Sequence, residues 1–433
     1  MVRSPSMSPS PSIPSQSVQL LDERAFPLRN RRVLLGVTGG IAAYKAAEIT
    51  RLLVLAGAKV RVVMTQAACQ FVTPLTFQTL SANPVAVDMF EAARASEINH
   101  LALAEQADLF VIAPATADAI ARLAAGMAND LLTATALATR APTLLAPAMN
   151  TRMWENPLVQ QNVRRLVELG IVKVIGPAEG ELACGVIGAG RMAEPADVVE
   201  EAGQILTEKD MTGRRLLVTA GPTREAIDPV RYVSNRSSGR MGYALAKAAA
   251  ARGAMVSLVS GPTTLRSPRG VELLQVATAA EMHDITTIRA ARADAIVMAA
   301  AIADYRPVEI SVAKLKKEDL GDRPQLDLSR NPDILAELGK DRRQRGGCRP
   351  ILVGFAAETE LLEARARGKL EVKGCDLIVA NNVGETGSGF DVETNRVTLI
   401  GSNGTAQPLP LATKDEVAHQ VLDRVRMLLE HAP

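Results

Sequence analysis

The sequence predicts two α/β domains in tandem, each built on a doubly wound, mostly parallel β-sheet. Short apolar runs, typical of buried strands, alternate with longer segments whose apolar residues recur at helical spacing. The pattern that opens the first domain, a strand followed by a glycine turn and a helix, also starts again near residue 214. Because parallel strands need helical crossovers, we expect helices on both faces of each sheet.

The first predicted domain covers residues 31–210. Its first strand, residues 33–37, ends in Thr38-Gly39-Gly40 and leads into a helix over residues 41–56. The other predicted strands are residues 60–64, 109–113, 143–146 and 172–175. A charged helix over residues 195–209 closes the domain.

The second predicted domain covers residues 211–433. Residues 214–222 repeat the character of residues 31–39, which indicates a new unit rather than a continuation of the first. The later predicted strands are residues 256–260, 295–300, 351–356, 377–380 and 396–400, and a helix over residues 414–430 follows them. We therefore place the domain boundary near Asp210.

Residues 1–30 form a segment rich in serine and proline that we expect to be disordered. Repeats such as Ser4-Pro5-Ser6 offer too little apolar surface to offset the entropy lost on ordering. The segment is poor in acids, as targeting peptides are, but it has few arginines and no amphipathic pattern. These features weigh against a targeting role.

The composition is that of a globular protein with small-molecule partners. Hydrophobic residues make up 47% and charged residues 22% of the chain, and the net charge of +2 argues against a general nucleic-acid surface. The four cysteines contain no CxxC pair, which argues against a zinc site and a disulfide framework. Since no apolar run reaches the roughly 18 residues of a membrane helix, we expect a cytoplasmic protein.

Small or polar residues follow four predicted strands of the first domain. They are the turn Thr38-Gly39-Gly40-Ile41, Thr65, the segment 114–118 with Thr116, and the segment 147–150 with Asn150. Ligands of open parallel sheets bind beyond these carboxyl ends of the strands. Backbone amides of a glycine turn before a helix can bind phosphate, although a glycine pair also forms ordinary tight turns.

Three further side chains of the first domain could carry chemistry. His100 is suited to proton transfer near neutral pH, although a lone histidine is more often structural. Asn150 could bind a carboxylate or simply cap a helix. Cys184 lies in the glycine-rich segment 181–191, which could close over a ligand or form an inert surface turn.

The second domain lacks a GxxxxGK[ST] motif, so any nucleotide is not bound by a P-loop. The segment 234–242, which contains Asn235, offers hydroxyl and amide groups to an anion, or an ordinary helix cap. Asp304 follows the predicted strand 295–300 and could contact a base, bind a metal or cap a turn.

Lysines are clustered in two places of the second domain. Lys314, Lys316 and Lys317 are close in sequence, and Lys369 and Lys373 share one face if their segment is helical. Such clusters can neutralise a triphosphate, but lysine runs more often lie on a solvated surface.

Six motifs of the first domain resemble, in order and spacing, the flavin-dependent phosphopantothenoylcysteine decarboxylases. They are residues 38–45, 98–100, 113–118, 125–132, 147–150 and 183–191. The resemblance implies that FMN occupies the crevice, that His100 is the active-site base and that Asn150 binds the carboxylate of the substrate's cysteine moiety. It also implies that Cys184 is a proton donor on a loop that closes over the substrate. The alternative is an FMN-binding regulatory flavoprotein without decarboxylase activity.

The second domain resembles phosphopantothenate–cysteine ligase, of which the CTP-dependent variety is fused to the decarboxylase in bacteria. The motifs are residues 299–305, 314–317, 331–335, 354–359 and 380–382. By this resemblance CTP is surrounded by Met298, Ala299, Ala300, Asp304, Lys314, Pro332, Asp333, Ile334, Leu335, Phe355, Lys369 and Lys373. Lys314 would aid formation of an acyl-cytidylate, Asn235 would handle that intermediate, and Mg²⁺ would accompany the triphosphate on ligands that the sequence does not identify.

Together these resemblances imply a bifunctional enzyme of coenzyme A synthesis with two Rossmann-like or flavodoxin-like domains. The second domain would join 4′-phosphopantothenate to cysteine, and the first would decarboxylate the product to 4′-phosphopantetheine. By analogy we expect a homo-oligomer with trimeric decarboxylase and dimeric ligase contacts, and no nucleic-acid or membrane partner.

Overall fold

The computed structural model of the protein describes residues 22–90, 99–181, 187–316, 325–358, 362–382, 389 and 392–431. The chain divides into two compact units, Glu23–Asp210 and the remainder. Asp22 belongs to the second unit, where the Gln420 side chain donates a hydrogen bond to its carboxylate at 3.0 Å. Among the described helices, none combines the length and the apolar composition of a membrane span.

The first unit contains a six-stranded sheet in the order β3-β2-β1-β4-β5-β6, in which every pair of neighbours is parallel. The strands are β1 Arg32–Val37, β2 Lys59–Met64, β3 Val85–Ala86, β4 Leu109–Ala115, β5 Thr143–Pro147 and β6 Val172–Val174. The direction of winding reverses between β1 and β4, so a crevice opens beyond their carboxyl ends. The prediction of a doubly wound parallel sheet is confirmed.

Helices cover both faces of this sheet. They are α1 Ala43–Leu55, α2 Pro74–Ser81, α3 Asn99–Gln106, α4 Ala117–Ala125, α5 Leu131–Ala138, α6 Thr151–Trp154, α7 Pro157–Glu168 and α8 Pro195–Leu206. Leu35 and Val111 pack into one core layer, and Leu34 and Phe110 pack into the other. Successive side chains of a strand point to opposite faces of the sheet, and the helices on each face bury them.

The second unit repeats this arrangement with two added strands. Its main sheet has the order β13-β12-β9-β14-β17-β18-β20-β21, in which the first six strands are parallel and the last two are antiparallel. These strands are β9 Arg215–Ala220, β12 Met255–Ser260, β13 Val271–Gln275, β14 Ala295–Met298, β17 Ile351–Glu358, β18 Leu377–Asn382, β20 Val397–Gly401 and β21 Ala406–Pro408. The helices are α9 Arg240–Ala251, α10 Ala279–Ala290, α11 Ile334–Gln344, α12 Leu362–Lys373 and α13 Lys414–His431.

Both units also contain short pairs of antiparallel strands outside the main sheets, which sequence periodicity did not predict. In the first unit β7 Ala178–Glu181 pairs with β8 Ile187–Arg191, and the segment between them includes Cys184, which is outside the described residues. In the second unit the pairs are β10 Arg224–Ala226 with β11 Tyr232–Ser234, β15 Tyr305–Pro307 with β16 Leu328–Arg330, and β19 Thr394–Asn395 with β22 Ala412–Thr413.

The predicted end of the N-terminal tail at residue 30 is wrong. Residues 1–21 are outside the described part, but Glu23–Ala25 form a turn of 3₁₀ helix and Leu28 is only 4% exposed. Pro27 and Leu28 pack against Gly203 of α8. The serine and proline repeats give way to apolar side chains before this point, of which Leu28 is buried and Phe26 and Pro27 are half-buried on the first unit.

Candidate active sites

A buried threonine joins the two central strands of the first unit at the crevice. Thr38, at the end of β1, donates through Oγ1 to the Pro114 carbonyl at 2.7 Å and accepts from the Thr116 amide at 3.1 Å. Its side chain is 1% exposed. Since Pro114 belongs to β4, this contact fixes the relative position of the β1 and β4 ends.

The glycine turn after Thr38 lies against the turn that follows β2. A Cβ added to Gly39 would lie 2.4 Å from the Ala67 Cβ, closer than real Cβ atoms approach. A Cβ on Gly40 would meet only the Thr116 methyl group at 3.5 Å, an ordinary contact. Gly39 therefore permits a close approach of two backbones, whereas Gly40 leaves open space beside the crevice.

A cavity of about 1280 Å³ occupies the crevice. Its lining includes Gly39, Gly40, Ile41, Thr65, Thr116 and Asn150. The structure thus brings together the four strand ends that the sequence placed at one edge.

The starts of three helices at this cavity are capped by their own side chains, whereas the start of α1 is not. Thr116 accepts from the Ala119 amide at 3.3 Å, Asp130 caps α5, and Asn150 accepts from the Arg152 amide at 2.9 Å. The residue before α1, Ala42, makes no side-chain cap. No side chain therefore competes with an anion at the start of α1, where the Ala43 and Lys45 amides donate to the Gly40 and Ala42 carbonyls at 2.9 and 3.0 Å. The helix dipole also favours an anion at this position.

An ion-pair network on the cavity wall was missed by sequence reasoning. Lys45 of α1 is 7% exposed, and its Nζ lies 3.3 Å from a carboxylate oxygen of Glu194. Arg191 pairs with the same carboxylate at 2.9 Å. Both basic residues line the cavity, and the only signal in the sequence is a lysine within an apolar stretch of α1.

The three predicted catalytic residues of the first domain have different outcomes. Asn150 lies at the cavity, beside β8, where the Met149 amide donates to the Gly190 carbonyl at 3.0 Å. His100 is half-buried in the first turn of α3 and does not line the cavity. Cys184 lies outside the described residues.

In the second unit, two fully buried threonines have a role like that of Thr38. Thr219 Oγ1 accepts from the Ala300 amide at 3.2 Å, and Thr223 Oγ1 accepts from the Ala303 amide at 2.9 Å. They attach the segment after β14 to the end of β9, where the winding of the sheet reverses. This is the edge at which a ligand is expected.

Two asparagines converge on the same segment. Asn235 Nδ2 donates to the Ile302 carbonyl and Asn331 Nδ2 donates to the Ala303 carbonyl, both at 2.8 Å. The Asn331 amide also donates to the Asp304 carbonyl at 2.9 Å, and the Asp304 side chain is exposed. The structure therefore brings together Asn235, Asp304 and the segment that precedes α11.

The residues around α11 that were predicted to bind a nucleotide differ in which of their groups could contact it. Met298, Ile334 and Leu335 are buried in the core, so only their backbone groups could reach a ligand. Asp333 caps α11 by accepting from the Ala336 amide at 3.1 Å and pairs with Lys373 at 3.3 Å.

The other nucleotide positions are at least partly accessible. Ala299, Ala300, Pro332 and Phe355 are half-buried, Lys369 is half-buried on the same helix as Lys373, and Lys314 is exposed. Lys369 and Lys373 both lie on one helix, α12, which is the condition under which the sequence allows them to share a face. Lys317 lies outside the described residues.

No cluster of metal-ligating side chains occurs among the residues that the structure describes. Cys375 is 3% exposed, and burial raises the pKa of its thiol to about 11, so this thiol is protonated and unreactive near neutral pH.

A histidine lies between two carboxylates next to the candidate nucleotide site. His283 Nδ1 lies 3.1 Å from Asp284 and Nε2 lies 2.8 Å from Glu337, which is in the first turn of α11. The Asp284 carboxylate, followed by that of Glu337, raises the pKa of His283 above its ordinary value, although burial opposes this.

We expect His283→Gln to lower the melting temperature at about pH 5.5 and to have little effect at about pH 8.5. The pKa of His283 is raised in the folded state, so its interaction with the two carboxylates stabilises the folded protein fully below the unfolded-state pKa of about 6.5. That stabilisation is lost as pH rises through the folded-state pKa. The partners are exposed, so the effect should be about 0.5 kcal/mol. Thermal unfolding of both proteins at the two pH values tests this. A difference that is independent of pH would contradict it.

Comparison with known proteins identifies the family. The family model described as Flavoprotein matches residues 23–207, and the model described as DNA/pantothenate metabolism flavoprotein C-terminal domain matches residues 211–428. The coenzyme A biosynthesis bifunctional protein CoaBC of Vibrio parahaemolyticus is 47% identical over 402 residues, which cover 93% of this chain and 99% of that protein. The protein of the same name from Bacillus subtilis is 46% identical over 405 residues, which cover 93% and 98%.

A crystal structure of the C-terminal domain of a coenzyme A biosynthesis bifunctional protein CoaBC is 40% identical, covers 52% of this chain and 99% of that one, and has a TM-score of 0.44. The curated relatives align over nearly their whole length, and both family models match in the same order as the two units. The chain therefore belongs to the family of bifunctional coenzyme A biosynthesis proteins.

Proposed function

We infer that the protein catalyses two consecutive steps of coenzyme A synthesis. The second unit ligates 4′-phosphopantothenate to cysteine with CTP, and the first unit decarboxylates 4′-phosphopantothenoylcysteine to 4′-phosphopantetheine with FMN. The observation that carries this proposal is the near full-length identity of 47% to a bifunctional relative, combined with the cavity at the strand ends of the first unit and the reversal of sheet winding between β9 and β14 in the second.

The residues of the first crevice fit FMN. The uncapped start of α1 suits the phosphate, Gly39 and Gly40 allow a close approach, and the cavity of about 1280 Å³ is large enough for the cofactor together with a substrate. Lys45 and Arg191 on its wall share the single Glu194 carboxylate, so this group of three carries one net positive charge, which favours anionic ligands. FMN held by these residues would supply the two-electron redox chemistry, and hence the electron sink, that decarboxylation of a cysteine amide requires.

The side chains of this unit bind the substrate and move protons. The Asn150 amide binds the carboxylate that is lost as CO₂. His100, which does not line the cavity of its own chain, is proposed to act as the base of a site near a subunit boundary of the trimer. Cys184 donates the proton that completes the product on carbon. A glycine-rich loop around Cys184 excludes water and protects the reactive intermediates.

The second unit joins its substrates through an activated acyl group. The carboxylate of 4′-phosphopantothenate attacks the α-phosphorus of CTP, and pyrophosphate leaves. The cysteine amine then attacks the acyl carbon, and CMP leaves. Lys314 neutralises charge that develops at the phosphate, Asn235 contacts the acyl-cytidylate, and Mg²⁺ accompanies the triphosphate.

The remaining nucleotide contacts are proposed for the accessible positions around α11. Asp304, Pro332, Asp333 and Phe355 face the nucleotide, and Lys369 and Lys373 of α12 add positive charge.

The protein is proposed to work as a cytoplasmic homo-oligomer, with trimeric contacts of the first unit and dimeric contacts of the second. Val308, Ile310 and Val312 of the second unit are 60%, 63% and 95% exposed, which is unusual for neighbouring apolar side chains unless a partner covers them. Light scattering at micromolar concentration checks the assembly, and a monomeric mass would contradict it.

One incubation tests both activities. The purified protein should be yellow, and with 4′-phosphopantothenate, cysteine, Mg²⁺ and CTP it should release pyrophosphate and then CO₂. A regulatory flavoprotein, the alternative for the first unit, would bind FMN but release no CO₂ from added 4′-phosphopantothenoylcysteine. Failure to release pyrophosphate with any nucleotide would overturn the ligase assignment.

A further inference from the structure

A buried carboxylate that the proposed mechanism does not use lies between two segments that carry proposed catalytic residues. Asp228 is in the loop between β10 and β11, and its side chain is fully buried. It accepts from the amides of Val230 at 2.9 Å and Arg231 at 2.8 Å, and from the Arg231 guanidinium at 2.9 and 2.5 Å. A fifth donor is the amide of Leu315, at 3.2 Å and 87 positions along the chain.

Both backbone polar groups of Leu315, its N–H and its carbonyl oxygen, make hydrogen bonds to the loop of residues 227–231. Asp228 accepts from its N–H, and Arg231 donates to its carbonyl oxygen at 2.9 Å. Upstream, the Ser311 amide donates to the Ile227 carbonyl at 3.0 Å. The backbone on either side of Lys314 is therefore attached to the loop of residues 227–231, while the Lys314 side chain is exposed to reach a ligand.

The same loop is continuous with the segment that carries Asn235. Strands β10 and β11 pair in antiparallel register, and Asn235 directly follows β11. The Ser234 hydroxyl donates to the Thr223 carbonyl at 2.6 Å, which attaches the end of β11 to the buried turn after β9. One carboxylate thus links the strand pair that precedes Asn235 to the backbone beside Lys314.

The charge of Asp228 suits this role. The Arg231 guanidinium beside it, with the backbone amides, holds the pKa of the carboxyl well below its usual range, so it accepts from all its donors at neutral pH. An asparagine at position 228 would replace one carboxylate oxygen by an amide nitrogen, which cannot accept hydrogen bonds. Some of the N–H groups that donate to Asp228 would then have no acceptor.

We propose that Asp228 and Arg231 are positioning residues for the ligase reaction, which hold Leu315 so that Lys314 stays in register with Asn235 at the reacting phosphate. This inference rests on the proposed ligase function of the second unit. The two residues act through Lys314 and touch neither nucleotide nor substrate.

The first test is Asp228→Asn in the full-length protein. We expect kcat for pyrophosphate release to fall about 10- to 100-fold, since misplacement by about 1 Å has effects of this size. The KM for CTP should change less than about threefold, because charge at Lys314 is retained. Decarboxylation of added 4′-phosphopantothenoylcysteine should stay at the wild-type rate.

The second unit offers a matched control in Asp376, which precedes β18 at the opposite edge of the sheet. Asp376 accepts from the Leu352 amide at 2.7 Å and pairs with Arg342, which donates to the Gly374 carbonyl at 2.7 Å. It is the same combination of aspartate, arginine and backbone, but it lies at the amino end of β18, whereas the proposed site lies at the carboxyl ends of the strands. Asp376→Asn should lower the melting temperature as Asp228→Asn does, but leave kcat within about twofold.

A double-mutant cycle separates positioning from general destabilisation. In a Lys314→Met background, Asp228→Asn should lower kcat by less than about twofold, because the group it positions is already absent. An equal fold-loss in both backgrounds, or an equal loss for Asp376→Asn, would overturn the proposal. If Asp228→Asn is not recovered folded, Arg231→Lys makes the same test, since lysine can pair with Asp228 but cannot also reach the Leu315 carbonyl. An inactive wild type would instead refute the proposed ligase function.

Discussion

Gly39→Ala is expected to give a folded protein whose affinity for FMN is at least about 100-fold lower. The added Cβ would lie 2.4 Å from the Ala67 Cβ and 2.8 Å from the Ala67 carbonyl carbon, so the turn must move by about 1 Å or more. That turn leads into the uncapped start of α1, where the proposed phosphate site depends on the direction of the backbone N–H groups. Titration of apoprotein with FMN, followed by flavin absorbance, measures the change.

The control for Gly39→Ala is Gly170→Ala. Gly170 has φ of +67° and no atom within 4 Å of an added Cβ, so alanine there costs backbone strain of about 1 kcal/mol without a collision. This variant should lose stability and keep its FMN affinity. Wild-type FMN affinity in Gly39→Ala would show that the turn does not hold the cofactor.

Lys314→Met is expected to lower kcat/KM for pyrophosphate release by about 10² to 10³, the usual effect of removing one group that stabilises developing charge. Lys314 is exposed on a segment whose backbone is fixed by Asp228 and Arg231, so methionine removes the charge without disturbing a packed core. The decarboxylase activity should be unchanged. A pyrophosphate-release assay under initial-rate conditions measures the effect.

Lys316→Met is the matched control for this second prediction. Lys316 is exposed, lies two residues further along, and carries the same charge. If Lys314 acts at the reacting phosphate, Lys316→Met should stay within about threefold of the wild type. Equal losses in the two variants would indicate that the segment contributes only general positive charge.

The strands with continuous apolar runs were predictable because burial on both faces leaves a direct signal in the sequence. The strand predicted at residues 33–37 is Arg32–Val37, and the one predicted at 143–146 is Thr143–Pro147. Strand Val271–Gln275 was missed because it is an edge strand without a fully buried residue. The short hairpins are set by turns and pairing partners, which periodicity does not report.

The sequence by itself determined which residues end the strands and hence which of them could share a crevice. Gly39, Thr116 and Asn150 were found this way because the chemistry of each lies within a short local pattern.

Only the tertiary structure decided which residues far apart in sequence form hydrogen bonds or ion pairs with each other. Thr38 meets Pro114 across 76 positions, Lys45 meets Glu194 across 149, and Asp228 meets Leu315 across 87. A hydrogen bond or an ion pair of this kind leaves no periodic trace in either partner's own segment. Its existence depends on the sheet order, which brings the carboxyl ends of strands to one edge regardless of their separation along the chain.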